Sequence, residues 1–281
     1  MFAEKARSAV AAVLAALVLA SLTGCNPAEP SDDPSVADPA TSSDAQTAQA
    51  GYQLVTPDTL TVCADVPYPP FLVESPASPS RYSGFDVDLV QAIADGLRLR
   101  LSFFLVDFKS MQSGVPQAAG KCDFGASAMT ITDERKANLD FSDPYFESSQ
   151  SLMAPADSGV VSLAELVGKR IGVESGTTSK AFAQIHAPKN AKLVDYSSDP
   201  EMWEALQRGD VDAIIEDFPA TKTHEKANPD FKVVATYQTD EQYGYAFAKG
   251  EKATLLAAVN DQLAKLRADG TYYKIYGKYF G

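Results

Sequence analysis

The sequence predicts an α/β protein of two lobes, each a mainly parallel sheet flanked by helices, joined by a two-stranded hinge. Strand and helix patterns alternate between residues 60 and 127, and the alternation starts again between residues 162 and 215. Apolar, extended segments at 151–155 and 242–247 border the second block. Because strands separated by helices favour parallel pairing, each block is expected to form one sheet, and the two border segments are the expected crossings.

The first block has the pattern of a βαβαβ unit. Leu60–Ala64 is a short apolar strand, and Phe85–Leu97 carries apolar residues at helical spacing. A strand is predicted at 99–106, a helix at 111–119 and a last strand at 122–127.

The second block repeats this alternation. Ser162 and Glu165 form a capping box that starts a short helix. Asp199 and Pro200 start another, because Asp accepts from free backbone N–H groups and Pro fits the first turn. The remaining elements are strands at 170–173 and 211–215 and helices at 178–186 and 254–266, the last of which is expected to return to the first lobe.

The N-terminal segment has the pattern of an export signal. Lys5 and Arg7 precede an apolar run that ends at Ala20 and is shorter than the roughly 20 residues of a membrane-spanning helix. Leu-Thr-Gly-Cys is similar to the lipobox of bacterial lipoproteins and makes Cys25 the expected acylation site; an ordinary secretory signal with a chance cysteine is the alternative. The predicted organisation is a lipoprotein signal at 1–24, a disordered tether at 25–55, a first lobe at 56–152 and 244–281, and a second lobe at 153–243.

Composition argues against binding to nucleic acid. The chain has 24 Lys and Arg against 37 Asp and Glu, a formal charge of −13. Attraction to phosphates needs basic patches, which this balance does not favour.

Two cysteines, Cys63 and Cys122, remain after Cys25. Export to an oxidising compartment favours a disulfide between them. The predicted strand ends oppose it, because aligned neighbouring strands would place the two residues about 10 Å apart, beyond disulfide reach. The sequence leaves both alternatives open.

The segment Gly120–Tyr145 carries an anion-binding pattern. Thr132 is placed to cap a short helix that contains Arg135, and the Thr130 hydroxyl lies in the preceding turn. The runs S-A-M-T-I-T-D-E-R and F-S-D-P-Y closely resemble the signature of family 3 bacterial extracellular solute-binding proteins, the amino acid receptors of ABC importers. The resemblance extends from about Leu60 to Phe280.

The resemblance implies a periplasmic-binding-protein-like fold and a receptor without cofactor, metal or catalytic residues. We therefore expect an exported monomer, held to the cell membrane by a lipid anchor, that delivers an amino acid to an ABC permease. A solute sensor that docks onto a signalling receptor is an alternative, as is an enzyme resembling the cyclohexadienyl dehydratases of the same fold. The sequence has no P-loop, G-x-S-x-G or C-x-x-C, and His186 and His224 match no zinc spacing and are expected at the surface.

Open parallel sheets bind ligands beyond the carboxyl ends of their strands. Polar and aromatic residues follow the predicted strand ends in both lobes, and these are the candidate ligand-binding residues: Asp65, Tyr68, Phe71, Phe108, Ser127, Ala128, Thr130, Arg135, Glu174, Gly176, Thr177, Thr178 and Asp217. Taken singly, the aromatic residues are also typical of core positions, and Asp217 or the Thr177 region of helix caps.

The resemblance also implies a role for individual positions. Arg135 and Thr130 correspond to residues that bind the α-carboxylate, together with backbone N–H groups around Thr178. Asp217 corresponds to the partner of the α-ammonium, to which the Ala128 carbonyl is also available. The positions of Asp65, Tyr68 and Phe108 line the side-chain pocket in the family.

The preferred side chain follows from Asp65 and Glu174, which end strands in opposite lobes. Two carboxylates favour donors, so arginine, lysine, ornithine or glutamine is predicted over glutamate and aspartate, unless Arg81 or Lys109 reaches the pocket. The alternative is a broad polar pocket in which Asp65 bonds backbone and Glu174 points to solvent.

Overall fold

Two five-stranded sheets organise the chain in the computed structural model, which describes residues 51–281. The strands are β1 (Thr59–Ala64), β2 (Val73–Glu74), β3 (Tyr82–Ser83), β4 (Arg100–Leu105), β5 (Phe124–Gly125), β6 (Leu139–Phe141), β7 (Phe146–Pro155), β8 (Arg170–Glu174), β9 (Lys192–Tyr196), β10 (Ala213–Asp217), β11 (Phe231–Tyr243) and β12 (Ala246–Ala248).

Helices cover both sheets, and a short 3-10 helix spans Leu163–Glu165. Gly114, with φ of 80°, divides the predicted helix at 111–119 into two short ones. The α-helices are α1 (Phe85–Gly96), α2 (Phe108–Gln112), α3 (Val115–Ala118), α4 (Asp133–Lys136), α5 (Thr178–His186), α6 (Asp199–Arg208), α7 (Phe218–Ala227), α8 (Ala253–Ala268) and α9 (Thr271–Phe280). Within residues 51–281, no helix combines the length and apolar character needed to cross a membrane.

The two sheets confirm the predicted α/β fold class, but each is mixed and not mainly parallel, because the segments that cross between the lobes enter the sheets as antiparallel strands. The first has the order β4-β1-β5-β12-β6, with β1 parallel to β4 and β5, and β12 antiparallel to its neighbours. The second has the order β11-β7-β10-β8-β9, with β8 parallel to β9 and β10, and β7 antiparallel to β10 and β11. The carboxyl ends of β1, β5, β8 and β10 therefore carry the candidate residues of both lobes.

The chain passes from the first sheet to the second at residues 142–145 and returns at residues 244 and 245. The crossings pair with each other, since the Tyr145 N–H donates to the Tyr243 carbonyl over 2.9 Å and the Ser142 N–H to the Tyr245 carbonyl over 3.0 Å. The first crossing precedes the predicted border between residues 152 and 153. Because β7 begins with the polar run F-E-S-S-Q-S, the apolar pattern of this strand starts in the sequence only at Leu152.

The first lobe is built from both ends of the described chain. Phe85, Leu89 and Ile93 of α1 are fully buried, and they share one core cluster with residues of α8 and α9. At 25 cal/mol per Å² of apolar surface, each such side chain stabilises the fold by about 1.5 to 3 kcal/mol. The return of the C-terminal helices therefore completes this core.

A disulfide joins Cys63 to Cys122, with 5.4 Å between their Cα atoms. The predicted offset of about 10 Å was wrong, because Cys122 precedes β5 and does not lie in an extended strand. The chain bends at Asp123, whose carboxylate accepts from the N–H groups of Val55 and Thr61 over 2.9 and 2.8 Å. This bend brings Cys122 within disulfide distance of Cys63.

The predicted signal at 1–24, Cys25 and most of the predicted tether lie outside the described residues. The described chain contradicts the end of the tether at residue 55. Tyr52 and Leu54 pack against the core of the first lobe, and the Val55 N–H bonds Asp123. The apolar pair Tyr52 and Leu54 is the physical reason that the ordered lobe begins earlier.

Candidate functional site

A cavity lies between the carboxyl ends of the two sheets. Residues from both lobes line it, as expected for open parallel sheets. Eleven of the predicted residues are among them: Asp65, Tyr68, Phe108, Ser127, Ala128, Thr130, Arg135, Glu174, Thr177, Thr178 and Asp217.

Two predicted residues do not line the cavity. Phe71 is fully buried in an aromatic cluster, with ring centroids 5.2 Å from Phe146 and 5.5 Å from Tyr243. Its ring stacks on that of Tyr68, with the centroids 5.8 Å apart. Phe71 is therefore a core residue that supports Tyr68 in the cavity wall. Gly176 contributes its carbonyl to Arg135 instead of forming part of the wall.

Arg135 is a buried cation held by contacts to both lobes. The Thr132 hydroxyl accepts from the Arg135 N–H over 3.1 Å, which confirms the predicted cap. Arg135 donates from Nη1 to the Thr130 carbonyl over 2.7 Å and from Nη2 to the Gly176 carbonyl over 3.0 Å. Its guanidinium lies 5.2 Å from the centroid of Phe108. Two of five N–H donors are used in this way, so donors remain for an anion.

The charge of Arg135 survives this burial. Desolvation lowers its pKa to about 10, while the negative charges of Asp217 and Glu241 oppose the shift. The guanidinium therefore remains protonated at neutral pH and presents a positive charge in a site of low dielectric constant.

The conformation of Gly176 makes the contact between the lobes possible. Its φ is 86°, a region that L side chains rarely adopt, and a Cβ there would lie 3.2 Å from the Cα of Lys109. The β8–α5 turn can therefore approach α2 closely and place the Gly176 carbonyl on Arg135.

Asp217 occupies the N-cap position of α7, but its buried side chain makes no capping bond to the helix. Its carboxylate accepts from Gln150 Nε2 over 2.7 Å, from the Tyr68 hydroxyl over 3.3 Å and from the Tyr243 hydroxyl. Burial and the charge of Glu241 raise its pKa to about 7, which the three donors only partly offset. A cation beside Asp217 would favour its charged form.

Glu241, at the end of β11, is a site residue that the sequence did not reveal. Its Oε2 accepts from the hydroxyls of Thr130 and Thr178, each over 3.1 Å, and Gln150 also donates to its carboxylate. Each hydroxyl has one proton to donate, so Thr130 is committed to an internal carboxylate. A bound carboxylate would thus depend on Arg135 and backbone N–H groups unless Glu241 moves.

Asp65 and Glu174 both line the cavity and differ in their contacts. Asp65 Oδ2 accepts from the Phe108 N–H over 2.8 Å, and burial followed by the charge of Asp107 raises its pKa to about 6. Glu174 is 6 % exposed and has no side-chain hydrogen-bond partner within residues 51–281. Burial and then the charge of Asp65 raise the pKa of Glu174 well above its usual range.

These contacts decide between the two predicted pockets only in part. The bond from Asp65 to backbone is present, as in the broad polar alternative, whereas Glu174 faces the cavity and not solvent. Neither Arg81 nor Lys109 lines the cavity, so Arg135 is the one basic side chain in its described wall.

Asp86 supports the turn that carries Ala128 and was also missed. Ala128 has a left-handed φ of 48°, which costs a non-glycine residue about 1 to 2 kcal/mol. The Ala128 N–H donates to Asp86 Oδ2 over 2.9 Å, and the Tyr145 hydroxyl donates to the same oxygen over 3.0 Å. A carboxylate inside an apolar helix face is the signal that identifies such a residue.

Asp199 and Glu216 add two further carboxylates to the wall. His224 lies behind them and is 6 % exposed, so its predicted surface position was wrong; His186 is exposed. One carboxylate oxygen each of Asp199 and Glu216 and one ring nitrogen of His224 lie within 4.8 Å of one another. Residues 199, 216 and 224 belong to α6, β10 and α7, so only the tertiary fold brings them together.

Known proteins that are similar to this chain include amino acid-binding proteins. A probable histidine-binding protein of Neisseria gonorrhoeae is 34% identical over 78% of this chain and 82% of its own length. The ABC transporter arginine-binding protein 1 of Escherichia coli K12 is 35% identical over 76% of this chain and 87% of its own. A solved structure of an ancestral arginine-binding protein bound to arginine is 36% identical, with a TM-score of 0.73 over 80% of this chain and 99% of that one. The family model of the bacterial extracellular solute-binding proteins, family 3, matches residues 60–281, and the chain belongs to this family.

Proposed function

We propose that the protein is an extracytoplasmic receptor of an ABC importer, which binds one L-amino acid between its lobes and delivers it to the permease. The placement of Arg135 and Asp217 in the wall of one buried cavity carries this proposal. An amino acid brings two opposite charges out of water, and the cost is tolerable only if both find partners. The names of the histidine-binding and arginine-binding relatives support the same ligand class. The proposed role is binding without catalysis, by a monomer.

The side chain of the proposed ligand is cationic or an amide. Asp65 and Glu174 face the cavity without a basic side chain of their own to neutralise them. Arginine, lysine, ornithine and glutamine supply donors to these carboxylates, whereas glutamate and aspartate meet like charges. Tyr68 and Phe108 offer aromatic surface for the aliphatic part of such a ligand.

The proposed binding step is closure of the two lobes about the paired crossings. Arg135 bonds the Gly176 carbonyl, and the hydroxyls of Thr130 and Thr178 lie 3.3 Å apart, so both contacts join the lobes. A ligand that touches both lobes shifts an open-closed equilibrium by its greater affinity for the closed state.

A thermal-shift screen of the twenty amino acids and ornithine tests the ligand class. A ligand at about 1,000 times its Kd stabilises the folded protein by about 4 kcal/mol, and we expect the largest shifts with arginine, lysine, ornithine or glutamine. Titration calorimetry then gives the order of affinities.

Agmatine is the matched control for that screen, because it keeps the guanidinium of arginine and lacks the α-carboxylate. We expect it to bind far more weakly than arginine, since nothing then pairs with Arg135. Tighter binding of glutamate or aspartate than of every cationic and amide amino acid would refute the proposed side-chain preference.

The proposed lipid anchor is Cys25, which lies outside the described residues. Cys25→Ser is expected to move the protein from the membrane fraction to the soluble fraction or to leave it unprocessed, because more than one acyl chain is needed for stable anchoring. Fractionation with immunoblotting measures this. If mutant and parent chains partition and mature alike, Cys25 is not the anchor.

A further inference from the structure

Three titratable side chains meet on the second-lobe side of the cavity. His224 Nε2 lies 2.7 Å from Asp199 Oδ1 and 3.8 Å from Glu216 Oε2. Asp199 and Glu216 are each 3 % exposed and line the cavity, whereas His224 lies behind them. The group is therefore part of the ligand chamber and is shielded from bulk solvent.

Glu216 has an unmet need for a positive partner. Neither of its carboxylate oxygens has a hydrogen-bond partner in the described part of the chain. Burying an unpaired carboxylate is strongly unfavourable, so such a group either holds a proton or binds a cation. Burial and then the charge of Asp199 raise the pKa of Glu216 well above its usual range, which favours the protonated form of Glu216 in the absence of a cation.

In the described chain, Glu216 has no Lys or Arg side chain beside it, and its basic neighbour is His224, whose Nε2 lies 3.8 Å from Glu216 Oε2. The neighbours of Glu216 in the wall are the acidic side chains of Asp199, Glu174 and Asp217, and Arg135 bonds carbonyl oxygens elsewhere in the cavity. Glu174 also lacks a side-chain hydrogen bond to any of residues 51–281. An entering cation would thus find both oxygens of Glu216 without a hydrogen-bond partner, beside Asp199, of which Oδ1 is bonded to His224.

We propose that Asp199 and Glu216 form a second cation subsite, which binds the positively charged end of the ligand's side chain. The inference rests on the proposed function and assigns specificity to residues beyond Asp65 and Glu174. A guanidinium suits the subsite best, because its planar fork of five donors matches several carboxylate oxygens at once. An ammonium group satisfies the same charge with fewer donors.

His224 is a positioning residue in this arrangement. It shares a hydrogen bond with Asp199, and its ring stacks on Trp203 with centroids 4.5 Å apart and planes 15° from parallel. The stacking fixes the imidazole, and the imidazole fixes one oxygen of Asp199. The second carboxylate of the pair is therefore held at the wall before a ligand arrives.

Calorimetric titration at pH 8 with L-arginine, L-lysine and L-glutamine tests the subsite in Glu216→Gln. We expect the Kd of arginine and lysine to rise by about 10-fold to 100-fold, as for loss of one charged hydrogen-bonding partner, and that of glutamine by less than about 3-fold. Glu204→Gln is the matched control, since Glu204 is a solvent-exposed residue of α6. Asp199→Asn repeats the test if Glu216→Gln does not fold.

The positioning role has its own pair of variants. His224→Gln can still donate to Asp199 and is expected to retain most of the arginine affinity, whereas His224→Leu cannot and should lose about 10-fold. Equal losses in these two folded variants would overturn the positioning role.

Wild-type arginine affinity in folded Glu216→Gln overturns the subsite and leaves the proposed amino acid receptor standing. The subsite is also overturned if arginine binding by chelator-treated wild-type protein requires added Zn²⁺ or Mn²⁺, because the group would then be a metal site. If wild-type protein binds none of the three amino acids, the proposed ligand class and the subsite fail together.

Discussion

Arg135→Ala is expected to weaken binding of the cognate amino acid by roughly 30-fold to several thousand-fold, which corresponds to about 2 to 5 kcal/mol. The substitution removes the one basic side chain in the described wall of the cavity, and the α-carboxylate of the ligand would then lie desolvated without a charged partner. It also removes the bond from Nη2 to the Gly176 carbonyl, a direct contact between the lobes. Titration calorimetry on the purified variant measures the loss.

Arg267→Ala is the matched control for that experiment. Arg267 also donates to a backbone carbonyl, that of Pro144, and its guanidinium lies 5.2 Å from the ring centroid of Tyr272, much as Arg135 faces Phe108. It does not line the cavity. We expect Arg267→Ala to lower thermal stability and keep the parent affinity. Near-parental affinity in folded Arg135→Ala would disprove the carboxylate role.

Local sequence rules predict the parts of this fold that depend on neighbouring residues. Thr132 caps α4 as expected, and the ends of β1, β5, β8 and β10 place their polar residues around one cavity. Both follow from short-range geometry, since a cap bonds N–H groups a few residues away and parallel strands end at one sheet edge.

The features that were missed depend on contacts between residues far apart in the chain. Glu241 follows a register shift in β11, so its orientation could not be inferred from alternation along the strand. His224 meets Asp199 across 25 residues and Asp86 meets Ala128 across 42. Such pairs leave no periodic pattern in the sequence, because they form only when whole elements pack together.

The disulfide shows how a sound rule fails when its premise does. An extended chain from Cys122 to Ser127 would keep the two cysteines apart, yet only Phe124–Gly125 forms the strand. The buried Asp123 carboxylate accepts hydrogen bonds from backbone N–H groups of two other segments, and the chain bends at this residue, just before the strand. The register of β1 and β5 is the one expected, with Cys63 opposite Gly125, and the bend before β5 brings Cys122 within disulfide reach.

Loss of the Cys63–Cys122 disulfide is expected to lower the free energy of unfolding by about 4 kcal/mol. The bridge spans a sequence separation of 59 residues, and closing a loop of that length restricts the unfolded chain by this amount. For a domain of this size the midpoint of thermal unfolding should fall by about 8 to 16 °C. Both cysteines are fully buried, so alanine replacements change little else at the surface.

The measurement is a thermodynamic cycle of Cys63→Ala, Cys122→Ala and the double variant in a Cys25→Ser background, which leaves these two as the only cysteines of the parent chain. If the sulfurs are bonded, each single variant already loses nearly the full stabilisation and the second substitution adds little. Denaturant unfolding without reductant gives these values, and a maleimide label should find no free thiol in the unfolded parent. Additive losses from the two single variants, or two labelled thiols in the parent, would show that the two cysteines are not bonded.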